Sequence, residues 1–456
     1  MPVEPLQLSP GPALREAFAP LRQMLEGHGP LLWPHAAGES VALDPGGLDP
    51  GGLDPSASLQ RVSDRGEADV AGERLAQVCG VAVGTSGSTG SPKRAVLPTA
   101  ALRASAEATH AVLGGPGRWL LTLPPHHIAG LQVVLRSLAS GVEPVSAAHL
   151  APFTAAGFTA DVLAAARAGT PCRYVSLVPT QLTRILTDPG ATSALAGFDA
   201  VLVGGAAAGS QLLARARAEG IAVVTTYGMS ETAGGCVYDG RPLPGVSVEL
   251  HPESADLAQA PTGTDPAEES SGRIRLGGPV VALGYLGRSA DRGAESVEVF
   301  TQHGGRRWFT TDDFGSLERG DDGAMRLRVL GRIDDVIVTG GLKVAPVVVQ
   351  EAVAGVLPAH ECLAFGVPDP EWGQIVALAL VAPAAEHERL HATWPRLVDE
   401  LRAHLPTHAL PRRLVTLTEL PLRGPGKPDR AALRTLAAGA VGECENGSFT
   451  TGGRTC

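Results

Sequence analysis

The chain has 456 residues, of which 44% are hydrophobic, and a formal net charge of −10 at pH 7. This length predicts two or three domains with a large core, and the acidic balance argues against a nucleic-acid-binding protein. No apolar run reaches the roughly 18 residues that a membrane span needs. The N-terminus lacks the pattern of a signal peptide, and the six cysteines show no metal-ligand spacing. Reduced thiols and a cytoplasmic location are therefore expected.

The first local feature is a short tandem repeat at residues 43–55, LDPGGLDPGGLDP. Proline and glycine are unfavourable in helices and in central strands. Two copies of the unit are also too few for a solenoid. We therefore expect a solvated loop here.

The most informative segment is Gly84–Lys93, GTSGSTGSPK, which follows an apolar run at residues 78–83 that is typical of a buried strand. Its glycines allow backbone N–H groups to form an anion-binding concavity, its hydroxyls add donors, and Lys93 adds a cation. This composition predicts a phosphate-binding loop. The spacing matches neither a Walker A loop nor GxGxxG. A flexible Ser/Gly surface loop is the alternative.

Between residues 78 and 228, apolar β-rich runs alternate with glycine or proline and then with helical segments. The runs are residues 78–83, 119–123, 174–178, 200–203 and 221–226. This alternation is typical of a parallel sheet covered by helices on both faces. Ligands of such sheets bind outside the carboxyl ends of the strands, so we expect the glycine turns to gather at one edge.

The C-terminal part shows a different pattern of predicted elements. A polar loop is predicted at residues 252–272, with antiparallel strands after it at 273–276 and 326–329. A small α+β domain should follow, with helix 346–356, strands 362–367 and 375–382, helix 394–405 and strand 413–417. The predicted fold class is α/β, with a large N-terminal domain at residues 1–332 that contains helix-covered parallel β-sheets. Residues 333–441 form the small α+β domain, and the tail 442–456 is expected to be disordered.

Six further motifs follow the phosphate loop. They are PPHHIAG at 124–130, GGA at 204–206, YGMSET at 227–232, WFTTDDFG at 308–315, GRIDD at 331–335 and GPGKPDR at 424–430. In this order they resemble the acyl-adenylate-forming (AMP-binding) superfamily of acyl-CoA synthetases, nonribosomal-peptide adenylation domains and luciferases. The resemblance spans roughly residues 78–436.

The resemblance implies an acid–thiol ligase with a mobile C-terminal domain and two reaction steps. A carboxylate attacks the α-phosphate of Mg-ATP to give acyl-AMP and pyrophosphate, and a thiol, usually coenzyme A, then displaces AMP. The first step brings two anions together, so it needs charge neutralisation and positioning more than covalent catalysis. ATP, Mg²⁺ and coenzyme A are the expected cofactors and co-substrates.

The resemblance also implies which residues bind ATP. The β- and γ-phosphates would contact the loop, and adenine would stack on Tyr227 beside the glycine turn that ends the preceding strand. Glu231 would help to bind Mg²⁺, although an exposed helix-start glutamate is the alternative. For Tyr227, a core aromatic residue is the alternative. The full set is Thr85, Ser86, Gly87, Ser88, Thr89, Lys93, Gly204, Gly205, Ala206, Tyr227, Gly228, Ser230 (a threonine in most of the family), Asp313 and Arg332.

The ribose hydroxyls would be accepted by Asp313. The family usually has Thr-Gly-Asp where this chain has Thr311, Asp312 and Asp313, which leaves open which aspartate faces the ribose; the following Phe-Gly pair favours Asp313. Arg332 would pair with the ribose or a phosphate, and Asp334 matches the hinge of the family.

Two more sites are implied in the small domain. Lys427 would bridge the substrate carboxylate and the α-phosphate and stabilise the charge of the transition state; a solvated lysine in a Gly/Pro turn is the alternative. Gly340 and Gly341 would line the thiol tunnel, or they form a simple hairpin turn.

The acid is predicted from a helix at residues 128–140. Gln132 and Arg136 share one face of it, and it begins at His126 and His127, where the family has its acyl pocket. An arginine there favours an acid with a second carboxylate, whereas a surface arginine is the alternative. The amino-acid sequence of this segment resembles that of the o-succinylbenzoate–CoA ligases of menaquinone biosynthesis.

Two other functions stay open. One is another aryl or medium-chain acyl-CoA synthetase, and the other is a non-catalytic acyl-AMP- or nucleotide-binding protein. The expected partners are small molecules, namely an acid, ATP and coenzyme A, and the sequence is compatible with a homo-oligomer.

Overall fold

The structure is a computed structural model that describes residues 3–36, 78–85, 93–146, 152–169, 171–251, 270–286, 299–320, 322–358, 360–423 and 427–439. The predicted 43–55 loop, residues 252–269 of the predicted 252–272 loop and the 442–456 tail lie outside the described residues.

The chain divides into two compact units. Unit 1 comprises Met1–Ala208, Leu212–Glu249 and Arg275–Thr311, and unit 2 comprises Gly209–Gln211, Leu250–Ile274 and Asp312–Cys456. The predicted domain boundary at residue 332 stays a prediction.

The secondary structure elements are numbered in chain order. The strands are β1 (Glu4–Gln7), β2 (Leu31–His35), β3 (Gly80–Gly84), β4 (Arg94–Pro98), β5 (Trp119–Leu121), β6 (Val145–Ser146), β7 (Tyr174–Leu177), β8 (Ala200–Gly204), β9 (Val223–Met229), β10 (Gly234–Tyr238), β11 (Arg241–Pro242), β12 (Ser247–His251), β13 (Ser270–Gly277), β14 (Gly284–Leu286), β15 (Phe300–His303), β16 (Arg306–Arg319), β17 (Met325–Arg332), β18 (Ile337–Thr339), β19 (Leu342–Val344), β20 (Glu361–Asp369), β21 (Gly373–Val381), β22 (Arg413–Leu417), β23 (Leu422–Arg423) and β24 (Lys427–Pro428). The helices are α1 (Phe18–Leu25), α2 (Thr99–Val112), α3 (Ile128–Ala139), α4 (Ala155–Arg167), α5 (Pro179–Leu186), α6 (Pro189–Ala196), α7 (Ser210–Ala218), α8 (Pro346–Val356), α9 (His387–Leu401) and α10 (Arg430–Gly439).

The larger sheet of unit 1 has seven strands in the order β11-β10-β9-β8-β7-β5-β6. The five strands from β6 to β9 are parallel, and β10 is antiparallel to β9. All four residues of β7 are buried, as expected for a strand with a helix on each side. Val175, Leu177, Val201 and Val203 form one core cluster with apolar side chains of α4, α5 and α6. These strands confirm the predicted parallel sheet.

The run at residues 78–83 does not belong to this sheet. As β3 it is parallel to β2 and antiparallel to β4, in a second sheet with the order β1-β2-β3-β4-β14. The prediction of one parallel sheet from residue 78 onward is wrong at this strand. In that sheet β3 and β4 lie between β2, which precedes the alternating segment, and β14, which lies far beyond it. The pattern of residues 78–228 therefore could not show to which sheet β3 belongs.

A third sheet has the order β12-β13-β16-β15, with β17 paired to β16. The division between the units falls within β12, β13 and β16. In unit 1, β15 forms a hairpin with the first residues of β16, with Phe300 opposite Phe309. In unit 2 the later part of β16 pairs with β17. The strands predicted at 273–276 and 326–329 lie within β13 and β17.

The C-terminal part of unit 2 contains the predicted α+β arrangement. Its sheet has the order β19-β18-β21-β20, with β22 parallel to β21, and α8 and α9 bury Val349, Val353 and Trp394 against it. The helix predicted at 394–405 is α9, which begins seven residues earlier and continues through Pro395.

Among the described residues, no helix is long and apolar enough for a membrane span, and the four described cysteines are free thiols.

Candidate active site

The carboxyl ends of β3 and β9 belong to different sheets and meet at Ser230. Its hydroxyl donates a hydrogen bond of 3.0 Å to the carbonyl oxygen of Gly84. The amide of Thr85 donates to the carbonyl of Lys93 at 2.9 Å and closes the base of the phosphate loop. Ser86, Gly87, Ser88 and Thr89 lie outside the described residues. Of the turns that we expected to gather at one edge, those that follow β3 and β9 come together here, and they belong to different sheets.

The hydroxyl of Ser230 has only one proton to donate, and Gly84 accepts it. A hydrogen bond donated by Ser230 to a phosphate therefore requires the hydroxyl to turn away from Gly84. The predicted phosphate contact of Ser230 stays a prediction.

Glu231 lies in the turn after β9 and is buried, with 7% of its surface exposed. The hydroxyl of Tyr285 donates to its Oε1 at 2.6 Å, and the amide of Ala282 donates to its backbone carbonyl at 2.9 Å. The Nζ of Lys93 lies 5.6 Å from the centroid of the Tyr285 ring. Burial contradicts the alternative of an exposed helix-start glutamate, and a cation, a phenol and a carboxylate come together here.

Tyr285 was not predicted from the sequence. It lies 54 residues after Glu231, outside every motif, and its position follows from the pairing of β14 with β4. Tyr285 is opposite Ala95 in that register. Ala95 and Lys93 are two residues apart and therefore share a face, so the Tyr285 ring is a diagonal neighbour of the lysine.

The turn that contains Glu231 is held by two helices. Ala233 has a left-handed backbone with φ of 52°, which is uncommon for a residue other than glycine. Its carbonyl oxygen accepts hydrogen bonds from Nε2 of Gln132 at 2.7 Å and from Oγ of Ser105 at 3.0 Å. The amide of Gln132, which we expected in the acid pocket, is engaged in supporting this turn.

The predicted histidine pair and Arg136 lie toward opposite ends of α3. His126 and His127 come directly before the helix, with ring centroids 4.2 Å apart, and follow β5 at its carboxyl end. Arg136 lies nine residues after His127, or roughly 14 Å along the helix axis. The amide of Trp119, the first residue of β5, donates to Ser137 at 3.1 Å. Arg136 is thus near the amino end of β5, whereas ligands of parallel sheets bind at carboxyl ends.

Arg136 is buried, with 3% of its surface exposed, so the alternative of a surface arginine does not hold. Its Cζ lies 5.2 Å from the centroid of the Trp119 ring, within cation–π distance, and its Nε has no hydrogen-bond partner among the described residues. The pKa of His110 is lowered from 6.5 to about 4, mainly by burial and to a smaller extent by the positive charge of Arg136. The structure therefore places Arg136 against Trp119 and His110 and does not bring it to the histidine pair.

The predicted adenine-binding residues are neighbours on adjacent strands. Gly204 ends β8 and lies opposite Thr226 of β9, directly before Tyr227 and Gly228. A Cβ on Gly204 would be 2.1 Å from Oγ1 of Thr226, so only glycine fits this position. Gly205 and Ala206 follow and are exposed. Stacking of adenine on Tyr227 stays a prediction.

The predicted ribose-binding residues belong to unit 2. Asp312 accepts from Nη2 of Arg273 at 2.7 Å and from Nη2 of Arg332 at 3.2 Å. Asp313 is opposite Arg332 in the strand register. Asp312 and Asp313 are consecutive in β16, so their side chains point to opposite faces of the sheet. Asp334 lies 3.9 Å from Nη2 of Arg332. In this structure Arg332 thus pairs with Asp312, and the ribose-binding and hinge roles stay predictions.

Gly340 and Gly341 form the two-residue turn between β18 and β19. Their φ values of 57° and 80° are both left-handed, as in the type I′ turns that join tight hairpins. A Cβ on Gly340 would also be 2.7 Å from Cε3 of Trp372. The hairpin alternative is confirmed, and the thiol tunnel stays a prediction. Lys427 begins β24 and pairs with Arg423 of β23.

Comparisons with known proteins identify the family. A family model described as "AMP-binding enzyme" matches residues 77–286, and one described as "AMP-binding enzyme C-terminal domain" matches residues 349–427. A Mycobacterium tuberculosis protein named "Probable 2-succinylbenzoate--CoA ligase" is 46% identical over 375 residues, which cover 81% of this chain and 87% of the relative. The chain belongs to the AMP-binding enzyme family.

Other AMP-binding enzymes agree with this assignment. A 2-succinylbenzoate–CoA ligase of a Geobacillus strain is 29% identical, over 80% of this chain and 70% of the relative. The o-succinylbenzoate coenzyme A synthetase of Bacillus subtilis, solved in complex with AMP, is 26% identical with a TM-score of 0.58, over 78% of this chain and 68% of the other. These relatives confirm the α/β fold class with a large and a small domain, and the class of enzyme, an AMP-forming acid–thiol ligase.

The site offers one buried carboxylate, which fits a metal ion that would be bound together with a nucleotide. Within the described ranges, no group of three or more His, Cys, Asp or Glu could hold a metal ion. Glu231 supplies one buried carboxylate, and this carboxylate is hydrogen-bonded to Tyr285, whose ring Lys93 contacts. Mg²⁺ usually binds to one or two carboxylates together with substrate phosphates, which is the chemistry that this carboxylate and the neighbouring phosphate loop offer.

Proposed function

We propose that this protein is an ATP-dependent 2-succinylbenzoate–CoA ligase (2-succinylbenzoate is o-succinylbenzoate). It activates the acid as acyl-AMP with release of pyrophosphate and then transfers the acyl group to coenzyme A with release of AMP. The 46% identity to the Mycobacterium tuberculosis relative supports this acid. The structural observation that carries the adenylation step is the Lys93, Tyr285 and Glu231 cluster at the base of the phosphate loop. The same proposal assigns the protein to menaquinone biosynthesis in the cytoplasm.

Charge neutralisation explains the role of the cluster. The carboxylate of the acid must approach a polyanionic phosphate chain, so cations and donors fixed in advance stabilise the transition state more than covalent chemistry could. Lys93 and the loop residues Thr85, Ser86, Gly87, Ser88 and Thr89 bind the β- and γ-phosphates. Glu231 would hold Mg²⁺, which neutralises phosphate charge when it is bound.

The other nucleotide contacts follow the family motifs. The adenine stacks on Tyr227 and approaches the backbone of Gly204, Gly205 and Ala206, a proposal supported by the adjacency of β8 and β9. Asp313 accepts the ribose hydroxyls, and Arg332 binds the ribose or a phosphate. Lys427 bridges the acid carboxylate and the α-phosphate, with Asp334 as the hinge and with Gly340 and Gly341 at the thiol tunnel.

The acid has a distal carboxylate that needs a partner. We assign it to the first turn of α3, where His126 and His127 precede the helix at the carboxyl end of β5. The N-terminus of a helix attracts anions because its first N–H groups have no helical partners, and within the described part of the chain the side chain of His127 does not cap α3. Gln132 and Arg136 have other contacts, described above, that compete with this role.

Pyrophosphate exchange into ATP tests the proposal. 2-Succinylbenzoate should support exchange, and benzoate, salicylate and octanoate should support it at least about 10-fold less, because loss of hydrogen bonds to a charged group costs about 1.5–3 kcal/mol. Preference for another acid would favour a different acyl-CoA synthetase. Absence of exchange with every acid would favour a binding protein without turnover.

A further inference from the structure

Tyr285 belongs to none of the motifs that carry the proposed function, yet it touches two of their residues. Its hydroxyl donates to Oε1 of Glu231 at 2.6 Å, and its ring lies 5.6 Å from Nζ of Lys93. We propose that Tyr285 is a positioning residue for the adenylation step. It holds the carboxylate of Glu231 in the orientation that binds the metal ion of Mg-ATP. This inference rests on the proposed function.

The ring of Tyr285 is fixed from two sides. Its strand, β14, is paired with β4, so the backbone of Tyr285 is tied to the strand that directly follows Lys93. The ring makes an edge contact with Phe300 at a centroid distance of 5.1 Å and an interplanar angle of 72°. Phe300 packs in turn on Phe309 at 5.1 Å. The hydroxyl therefore has a defined position before any ligand binds.

The backbone of Glu231 is fixed as well. The amide of Ala282, three residues before Tyr285, donates to its carbonyl oxygen, and Ser230 is bonded to the end of β3. The Tyr285 hydroxyl orients the side chain of Glu231 through a hydrogen bond to its carboxylate, and hydrogen bonds to a carboxylate are among the stronger kinds. A carboxylate offers about four lone-pair sites, so the same group can accept from Tyr285 and bind a cation.

The metal affinity of a carboxylate depends on the residue that hydrogen-bonds to it and orients it. Loss of such a partner typically costs about 10- to 100-fold in metal affinity or activity. Tyr285→Phe removes only the donor, because the ring contacts with Phe300 and Lys93 are retained. We therefore expect Mg²⁺ to strengthen ATP binding less in the variant than in the wild-type protein, while the binding of metal-free ATP is unchanged.

Calorimetric titration with ATP, with and without Mg²⁺, tests this without catalysis. In the wild-type protein Mg²⁺ should strengthen ATP binding, and in Tyr285→Phe this gain should be about 10-fold smaller. Tyr238→Phe is the matched control, because the hydroxyl of Tyr238 pairs with Thr109 at 3.0 Å, and it should keep the wild-type gain. An equal loss of affinity with and without Mg²⁺ would mean that Tyr285 is only a packing residue, and an unchanged gain would overturn the proposal.

Kinetics give the second readout. The Mg²⁺ concentration that gives half-maximal pyrophosphate exchange should rise about 10-fold in Tyr285→Phe, and exchange should recover at saturating Mg²⁺. In a Glu231→Gln background the Tyr285 substitution should have no further effect, because both act on one contact. Additive effects of the two substitutions would contradict the inference. If the wild-type protein exchanges with no acid, the proposed function fails, and the calorimetric comparison still decides the role of Tyr285.

Discussion

The side-chain amide of Gln132 donates a hydrogen bond of 2.7 Å to the carbonyl oxygen of Ala233, two residues after Glu231. Ser105 donates to the same oxygen at 3.0 Å. Ala233 has an unfavourable left-handed backbone, which persists in proteins only where the surroundings hold it. Helices α2 and α3 therefore support the turn that carries the proposed metal-binding carboxylate.

Gln132→Leu should weaken this turn without changing the acid pocket. The substitution keeps the side-chain volume and removes one of two donors to a buried carbonyl. Because Ser105 still donates to that oxygen, the free energy of unfolding should fall by about 0.5–1.5 kcal/mol. The relative loss of kcat/KM should be the same for 2-succinylbenzoate and benzoate. In a double-mutant cycle with Ser105→Ala, the two substitutions should be coupled, because they share one acceptor. A loss confined to 2-succinylbenzoate would instead place Gln132 in the acid pocket.

Arg136→Met should leave acid selectivity unchanged. If Arg136 bound the distal carboxylate, its removal would cost about 2–5 kcal/mol, or some 30- to several-thousand-fold in kcat/KM for 2-succinylbenzoate relative to benzoate. Its position against Trp119, away from the histidine pair, predicts a change in this ratio of less than about threefold. Steady-state kinetics with both acids decide the question, and a large selective loss would restore Arg136 to the pocket.

His110 should make the protein less stable in mild acid. The unfolded chain binds a proton at His110 near pH 6.5, whereas burial and Arg136 keep the folded imidazole neutral down to about pH 4. The unfolded state thus binds more protons in this window, so stability is present above pH 6.5 and is lost as the pH falls toward 4. Urea unfolding of wild type and His110→Gln should show a shallower decline in the variant. Parallel curves would contradict this.

The sequence predicted those parts of the fold and site that depend on local pattern. The parallel strands β5, β7, β8 and β9 were recognisable from apolar runs, and Lys93, Ser230 and Glu231 from their motifs. Tyr285 could not be found, because its contact with Glu231 depends on the pairing of β14 with β4. Gln132 and Arg136 do share a helix, but helical periodicity does not tell which end of the sheet each residue reaches.

Lys427→Ala should separate the two half-reactions. If Lys427 stabilises charge only during adenylation, the variant should lose pyrophosphate exchange by at least about 100-fold and still form thioester from supplied acyl-AMP and coenzyme A. Its neighbour Arg430, which pairs with Asp335 at 3.0 Å, gives a control, since Arg430→Met should lower stability without separating the steps. Equal loss of both half-reactions in Lys427→Ala would contradict the assigned role.

The most direct test of the account is product analysis of the wild-type protein supplied with ATP, Mg²⁺, coenzyme A and one acid at a time. We predict 2-succinylbenzoyl-CoA with one AMP and one pyrophosphate per thioester, and a kcat/KM at least about 10-fold above those for benzoate, salicylate and octanoate. Formation of no thioester from 2-succinylbenzoate, or a preference for one of the other acids, would contradict it.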